Sequence, residues 1–398
     1  MNKFLYTWEL GANLGHLGAF LPIARVLAAA GHEVVLALRE TRAAATLLAD
    51  AGLPWVQAPY LVEQLGQTSP LSYPDILLRF GLGDPATLLG HVRSWTELFA
   101  RCGTEVVVAD HSPTALIAAR ARRLPVMTFG NGFFTPPRQR PLPALRPWQP
   151  LPPERLQEIE DRALAAINGV LRRFDAEPIE GVGDLFDVAE GSLLGFPEFD
   201  HYPERGPATY WGNVGSAGGG VVPVWPAVAG KRVFAYLRPA MQHFQPALDT
   251  LVACRQSVLM YCPDLPADTT QRLRALPHIR VESTPVDLDR ATNEADAAVT
   301  YAPYATTVAF VQRGKPVLVV PGHLEQFLLA KRIEASGLGR MIHPEGSADG
   351  LPAALSAVLF EPGCGERARQ FAAKYRDFTQ DRVVGNIARR LVEIARIT

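Results

Sequence analysis

The sequence predicts an α/β protein made of two doubly wound domains with parallel sheets. Three observations predict it. Short apolar runs alternate with longer amphipathic segments almost from end to end. Several of these runs, EVVVAD and PVMTF among them, are β-branched or aromatic and apolar on both faces, as in central strands covered by helices on two sides. The stretch WGNVGSAGGGVVPVWPAVAG is rich in glycine and proline, lacks periodicity, and separates two such halves as a linker. Both halves therefore read as Rossmann-like.

In the first half, strands are expected at Lys3–Glu9, Glu33–Leu38, Trp55–Pro59, Glu105–Asp110, Pro125–Gly130 and Ser192–Phe196. Helices are expected at Leu17–Ala30, Thr41–Ala51, Pro113–Arg123 and Glu154–Asp175. The second half repeats the rhythm, with strands at Arg232–Leu237, Ser257–Tyr261, Ile279–Glu282, Ala297–Tyr301, Pro316–Pro321 and Gly339–His343. Its helices fall at Pro246–Arg255, Tyr304–Arg313, Glu325–Ser336 and Pro352–Phe360. The tail from Glu366 to Ile397 reads as helical, interrupted near Gly385. The expected domains are 1–214 and 231–375, joined by a linker at 215–230, with a C-terminal helix over 376–398 that crosses back to the first domain. From Thr135 to Pro153 proline excludes regular structure, and this segment is either a loop over a ligand or a surface excursion.

Composition narrows the function. The 398 residues suffice for two domains with their own cores, and 39 basic against 40 acidic side chains give no global field to hold a nucleic acid. Cys102, Cys254, Cys262 and Cys364 form no C-x-x-C pair, so neither a zinc site nor a disulfide framework is indicated. Glu9 interrupts the first apolar run and Arg25 the next, so neither a signal peptide nor a membrane span is expected; the chain reads as cytoplasmic. Scattered histidines without an H-E-x-x-H motif give no expected metal, and no G-x-S-x-G elbow is present for a serine hydrolase.

The first strand runs into GANLGHLGAFLP, where Gly11, Gly15 and Gly18 surround a turn feeding a helix start. Glycine allows close approach of a ligand to the backbone, and a helix start favours an electron-rich group. The spacing is not that of dinucleotide binding. His16 lies at this turn, where an imidazole suits a general base, although a lone histidine is also often structural. Asp110 ends the fourth strand and should emerge at the same sheet edge; it can orient His16 or cap the helix beginning near Pro113. His111, next to it, should alternate to the opposite side of an extended backbone, making it the poorer base.

The G-H turn with a closing proline (GHLGAFLPIARVLAAAGHEV) and the aspartate ending strand four resemble the family 1 glycosyltransferases of the GT-B fold. In the second half, VLVVPGHLEQFLLAKRIEASGLG is similar to that family's donor-binding stretch. The resemblance implies two Rossmann-like domains facing across a cleft, with His16 as catalytic base and Asp110 as its partner. It also implies that Glu325 and Gln326 bond the hydroxyls of the donor sugar. The donor would be a nucleotide-sugar, UDP- or dTDP-linked, with no cofactor or metal. One stretch departs from the family, which carries a histidine and glycines before the diphosphate-binding helix. Here the sequence is TYAPYATT: Tyr301 replaces the histidine, Ala302 and Pro303 replace the glycines, and Thr306 or Thr307 supplies the hydroxyl. Amides at the start of the helix from Tyr304 remain available, and Arg238, ending VFAYLR, is the candidate for added positive charge, or else a solvated strand-end arginine.

On that resemblance, these residues would run an inverting transfer. His16 takes the proton of an acceptor hydroxyl as its oxygen attacks the anomeric carbon opposite the leaving nucleotide. The acceptor is a small molecule near Gly15, and Tyr73, Phe129, Phe133 and Phe134 either line an apolar pocket for it or belong to the core. Two other readings stay open from sequence: a nucleotide-sugar 2-epimerase, and a non-catalytic binding or partner protein of the same shape.

Overall fold

The computed structural model describes residues 1–11, 15–49, 51–60, 62, 69–149, 151–215 and 219–397. The chain divides into two compact units, each described by itself. The first holds Met1–Leu194, Tyr202–Gly212 and the chain from Val383; the second holds Gly195–His201 and Asn213–Arg382. The expected linker thus begins close to a unit boundary, part of it (216–218) lying outside the described residues.

In the first unit, β1 (Lys3–Trp8), α1 (Gly15–Ala29), β2 (Glu33–Leu38), α2 (Thr41–Leu48) and β3 (Trp55–Gln57) alternate as expected. Next come α3 (Tyr73–Arg79) and α4 (Pro85–Cys102), which the sequence reading leaves unassigned. The signals for α4 are present: Asp84 caps it by accepting from the Thr87 amide at 2.8 Å, and Leu88, Val92, Trp95 and Phe99 bury one stripe at helical spacing. It ends at Gly103 in the left-handed conformation. Then β4 (Val106–Asp110), α5 (Pro113–Arg122), β5 (Val126–Thr128) and α6 (Pro153–Arg173) follow. The sheet is parallel throughout, in the order β3-β2-β1-β4-β5. The strand expected at Ser192–Phe196 does not join it. Only β6 (Leu193–Leu194) forms, paired with β7 (Tyr210–Gly212) in a separate two-stranded sheet; the chain touches the edge of β5 through the Glu190–Met127 bridge and the Leu194 amide on the Gly130 carbonyl at 2.8 Å, and Gly195 at φ 101° ends it.

The second unit contains β8 (Arg232–Tyr236), α7 (Phe244–Ala253), β9 (Ser257–Tyr261), α8 (Ala267–Arg274), β10 (Ile279–Glu282), α9 (Leu288–Glu294), β11 (Ala297–Thr300) and α10 (Tyr304–Gln312). It continues through β12 (Val317–Val319), α11 (Leu324–Ala335), β13 (Gly339–Met341), α12 (Leu351–Phe360) and α13 (Pro362–Lys374). Its sheet, again parallel, runs β10-β9-β8-β11-β12-β13. Both faces are buried. Phe234, Leu259 and Ala298 pack with Phe310 and Phe371 on one side, while Val233, Val258 and Val299 pack with Leu248 and Leu355 on the other. That period of two explains why these strands read as unbroken apolar runs.

The last helix, α14 (Gln380–Ile397), contains Gly385 in its interior. The tail breaks instead at 375–379, ahead of this helix. A glycine costs a helix about 1 kcal/mol. Here Val383, Val384, Ile387, Ala388, Leu391 and Ile394 bury a continuous stripe that outweighs it. Arg390 fixes the helix in the first unit by donating to the Glu190 carboxylate at 2.8 Å. The proline-rich segment is irregular, as expected, and pinned: the buried Glu160 carboxylate accepts the Leu142 amide at 2.6 Å and the Val182 amide at 2.9 Å.

Candidate active site

In both sheets the strand order reverses direction beside the first strand of the unit, between β1 and β4 and between β8 and β11. Ligands of open α/β sheets bind at the carboxyl ends of the strands at such a switch point. Asp110 and His16 lie there in the first unit, and Tyr301 and Arg238 in the second.

In the first unit, Trp8 at the end of β1 stands in register with Asp110 at the end of β4. The next β1–α1 residues include Gly11 at φ 89°, while 12–14 fall outside the described residues. His16 sits in the first turn of α1, and its Nδ1 lies 2.8 Å from Asp110 Oδ1. The Tyr6 hydroxyl donates to the other carboxylate oxygen, Oδ2, at 2.7 Å. Burial and the Asp110 charge hold that hydroxyl far above its usual pKa, so Tyr6 stays a donor. A carboxylate accepts from Nδ1–H, which leaves the lone pair on Nε2. Trp8 stacks on the imidazole with centroids 5.3 Å apart, and Phe134 lies against it at 5.1 Å. A side chain at Gly11 would place its Cβ 2.7 Å from Nε2, so the close approach at this turn requires glycine.

Asp110 does not cap α5. Glu9 does: its carboxyl accepts the amides of Thr114 at 2.9 Å and Ala115 at 3.2 Å, the Thr114 hydroxyl at 2.8 Å and Trp95 Nε1 at 3.0 Å. Burial pushes the Glu9 carboxyl up to about 7, against the lowering effect of those hydrogen bonds. Asp110 is thereby released for His16.

His111 corrects a second expectation. Its backbone adopts φ 44° rather than continuing the strand, and Leu10 N donates to its carbonyl at 3.0 Å. A non-glycine residue in this region costs about 1–2 kcal/mol. The turn brings its ring to the same side as His16, with centroids 6.5 Å apart, and 4.4 Å from Phe134. Strand alternation fails because the strand ends one residue earlier.

The expected acceptor residues separate into groups. Phe129 is 2 % exposed and packs edge-on to Phe20 and Tyr6, so it is core behind Asp110 rather than a pocket wall. Phe133 is buried and meets Phe134 edge-on at 5.6 Å. Tyr73, buried at the start of α3, faces His111 at 6.2 Å and Phe186 at 5.7 Å. Gly15 opens α1 and is exposed. Of these, Phe134 touches both histidines.

In the second unit, Tyr236 ends β8 in register with Thr300 of β11 and Tyr261 of β9. Tyr301 meets Tyr236 edge-on at 4.9 Å, and Tyr261 lies 4.9 Å from Tyr236 on the other side. Arg238 reaches over this group: one guanidinium nitrogen donates to the Tyr236 hydroxyl at 3.3 Å and another to Asp264 at 3.3 Å. Burial, then the neighbouring Tyr236 and Arg238, set the Tyr301 hydroxyl, with the net effect of raising it. Sequence reading found Arg238 and Tyr301 and missed Tyr236 and Tyr261; their common signal is an aromatic residue at the carboxyl end of consecutive strands.

Ala302 takes φ 66°, the left-handed conformation natural to glycine. The backbone thus keeps a glycine-like turn although the residue is not glycine. Pro303 precedes α10, and Thr306 is half-buried in the first turn. Thr307 is fully buried, with its hydroxyl 2.9 Å from that of Thr300, which ties β11 to α10. It therefore cannot meet a phosphate, and the expected hydroxyl falls to Thr306. Tyr304 stacks beside His201 at 6.1 Å and presses its hydroxyl on Gly195. Glu325 lies in the first turn of α11, and the Gln326 side-chain carbonyl accepts the Gly322 amide at 2.8 Å, leaving its amide group as the donor. Among the described residues no cluster of histidine, cysteine or acidic side chains has metal-site geometry, and no helix is long and apolar enough to cross a membrane.

No protein-family model matches the sequence, and no curated protein matches it. Solved structures do match its fold. The glycosyltransferase VinC in complex with dTDP superposes with a TM-score of 0.71 over 100 % of both chains at 18 % identity. The spinosyn rhamnosyltransferase SpnG, solved with spinosyn aglycone, gives 0.66 over 97 % of this chain and 99 % of its own at 16 % identity. The glycosyltransferase SnogD from Streptomyces nogalater gives 0.63 over 97 % and 98 % at 19 % identity. The chain has the fold of these GT-B glycosyltransferases, two Rossmann-like α/β units, along its whole length.

Proposed function

We propose that the protein is an inverting, metal-independent glycosyltransferase that moves a sugar from a nucleoside-diphosphate sugar to a hydroxyl of a small acceptor. The observation that carries this reading is the Tyr6–Asp110–His16 chain of hydrogen bonds at the carboxyl edge of the first sheet. His16 Nε2 takes the acceptor proton while the oxygen forms its bond to the anomeric carbon. The bond from that carbon to the diphosphate oxygen breaks, and the nucleoside diphosphate leaves with the electron pair. Asp110 stabilises the imidazolium that forms.

In the second unit, Arg238, Tyr301, Thr306 and the first amides of α10 would take up negative charge developing on the diphosphate. Glu325 and the Gln326 amide would orient the sugar. A thymidine-linked donor is favoured, because VinC was solved with dTDP on the same fold. The reading includes a cytoplasmic location. Changing His16 to Ala in the full chain should abolish transfer from dTDP- or UDP-sugars while leaving nucleotide binding, measured by calorimetry, within about threefold. Equal loss of both in a folded protein would make His16 structural and sink the proposal.

A further inference from the structure

His111 is a buried polar group beside His16 that the transfer reaction leaves unused. Its side chain is more than nine-tenths buried, and neither ring nitrogen has a hydrogen-bond partner among the described residues. It is surrounded by His16 from α1, Phe134 from the turn after β5, and Tyr73 from α3, with Arg39 contributing positive charge from the end of β2. Burial first, then His16 and Arg39, hold the imidazole well below its usual range, so it is neutral and offers one donor and one acceptor. A buried polar group without a partner destabilises the fold, as does a left-handed backbone at a residue other than glycine. Both penalties are retained at the edge of the sheet where His16 acts. Such a group persists where a ligand supplies the missing partner.

We propose that His111 is a second acceptor-binding imidazole, which holds a further oxygen of the acceptor beside the hydroxyl that His16 deprotonates. This rests on the transferase reading and adds a substrate class to it. With the ring centroids 6.5 Å apart, one small acceptor reaches both imidazoles through hydrogen bonds of about 2.8–3.0 Å when its two oxygens converge between the rings, about 3–6 Å apart. The acceptor class is therefore a compact ring or polyol whose second hydroxyl or carbonyl lies on a neighbouring or next-but-one carbon. Phe134 covers both imidazoles, 4.4 Å from His111 and 5.1 Å from His16. It has to swing aside for the acceptor and then offers an aromatic face to it. A Cβ at position 130 would meet the Phe134 ring at 3.3 Å, so Gly130 permits its present position.

The test uses full-length protein carrying 15N-labelled histidine, with resorcinol and 3-methylphenol as probes. These match in shape and differ by a hydroxyl against a methyl. Imidazole signals are assigned with His16→Ala and His111→Leu. Resorcinol should shift the ring nitrogens of both His16 and His111, and 3-methylphenol those of His16 alone. His111→Leu should weaken resorcinol about tenfold and leave 3-methylphenol unchanged or tighter. His111→Gln, which keeps a donor and an acceptor, should recover part of the difference and guards against a folding artefact. An unmoved His111 signal at saturating resorcinol, no resorcinol binding at all, or equal loss of both probes in His111→Leu would each overturn the proposal. None of these readouts needs turnover, so a failure here is distinct from a failure of wild-type protein to transfer sugar.

Discussion

Replacing Asp110 with Asn tests the chain of hydrogen bonds at its centre. The carboxylate accepts at both oxygens, from Tyr6 at 2.7 Å and from His16 at 2.8 Å. If the Tyr6 hydroxyl keeps donating as it does to the carboxylate, the amide of Asn turns its oxygen to Tyr6 and its NH2 to His16. Nδ1 then has to accept, the imidazole proton moves to Nε2, and the base is lost. A charge-assisted hydrogen bond of about 1.5–3 kcal/mol to the developing imidazolium disappears as well. Together these effects correspond to a fall in kcat of about 10³–10⁴-fold, the size seen when a buried aspartate behind a catalytic histidine is neutralised. The geometry makes a sharper claim about the pair. Adding Tyr6→Phe frees the amide to reverse and accept from Nδ1–H, so the double variant should be at least about tenfold faster than Asp110→Asn alone. Initial rates of nucleoside diphosphate release, with thermal melts as the folding control, decide it. A single variant within tenfold of wild type refutes the role of Asp110, and a double variant no faster than the single refutes the orienting role of Tyr6.

Three further outcomes are expected. Glu9 is raised from 4.5 to about 7 by burial, so the unfolded chain ionises first as pH rises; stability from this group is full below about 4.5 and lost through about 7, a change of about 3 kcal/mol. Glu9→Gln should flatten urea-unfolding stability between pH 5 and 8, and an unchanged slope would place the titration elsewhere. Ala302→Gly, at φ 66°, should stabilise by up to about 1 kcal/mol, read as a rise in Tm of about 2–4 °C, and a fall would show that the turn is unstrained. Arg238→Ala should weaken dTDP binding about 10–100-fold by calorimetry with Tm preserved, and unaltered affinity would remove Arg238 from the donor site.

Much of the fold is legible locally. Apolar strands buried on both faces are recognisable because helices cover both sides of each sheet, and β2, β9 and β10 fall where the residue pattern places them. The short pair β6–β7 is not legible, because a strand-like sequence does not say which later segment it pairs with, and Gly195 ends it after two residues. Gly385 misleads for a related reason: helix propensity is weak beside an apolar stripe that finds a partner surface.

The same division runs through the site. Sequence alone determined that His16 and Asp110 stand at carboxyl ends of strands, since strand and helix alternate around them. It could not determine that β4 lies next to β1; that adjacency pairs Phe4 with Val106 and Trp8 with Asp110, residues far apart in the chain. Tertiary structure decided the rest: Tyr6 on the second oxygen of Asp110, Glu9 taking over the cap of α5, Thr307 turned into the core, and His111 turned toward His16. Each of these depends on one backbone torsion or one burial, and a residue pattern specifies which face a side chain takes only while the chain continues as a regular strand or helix.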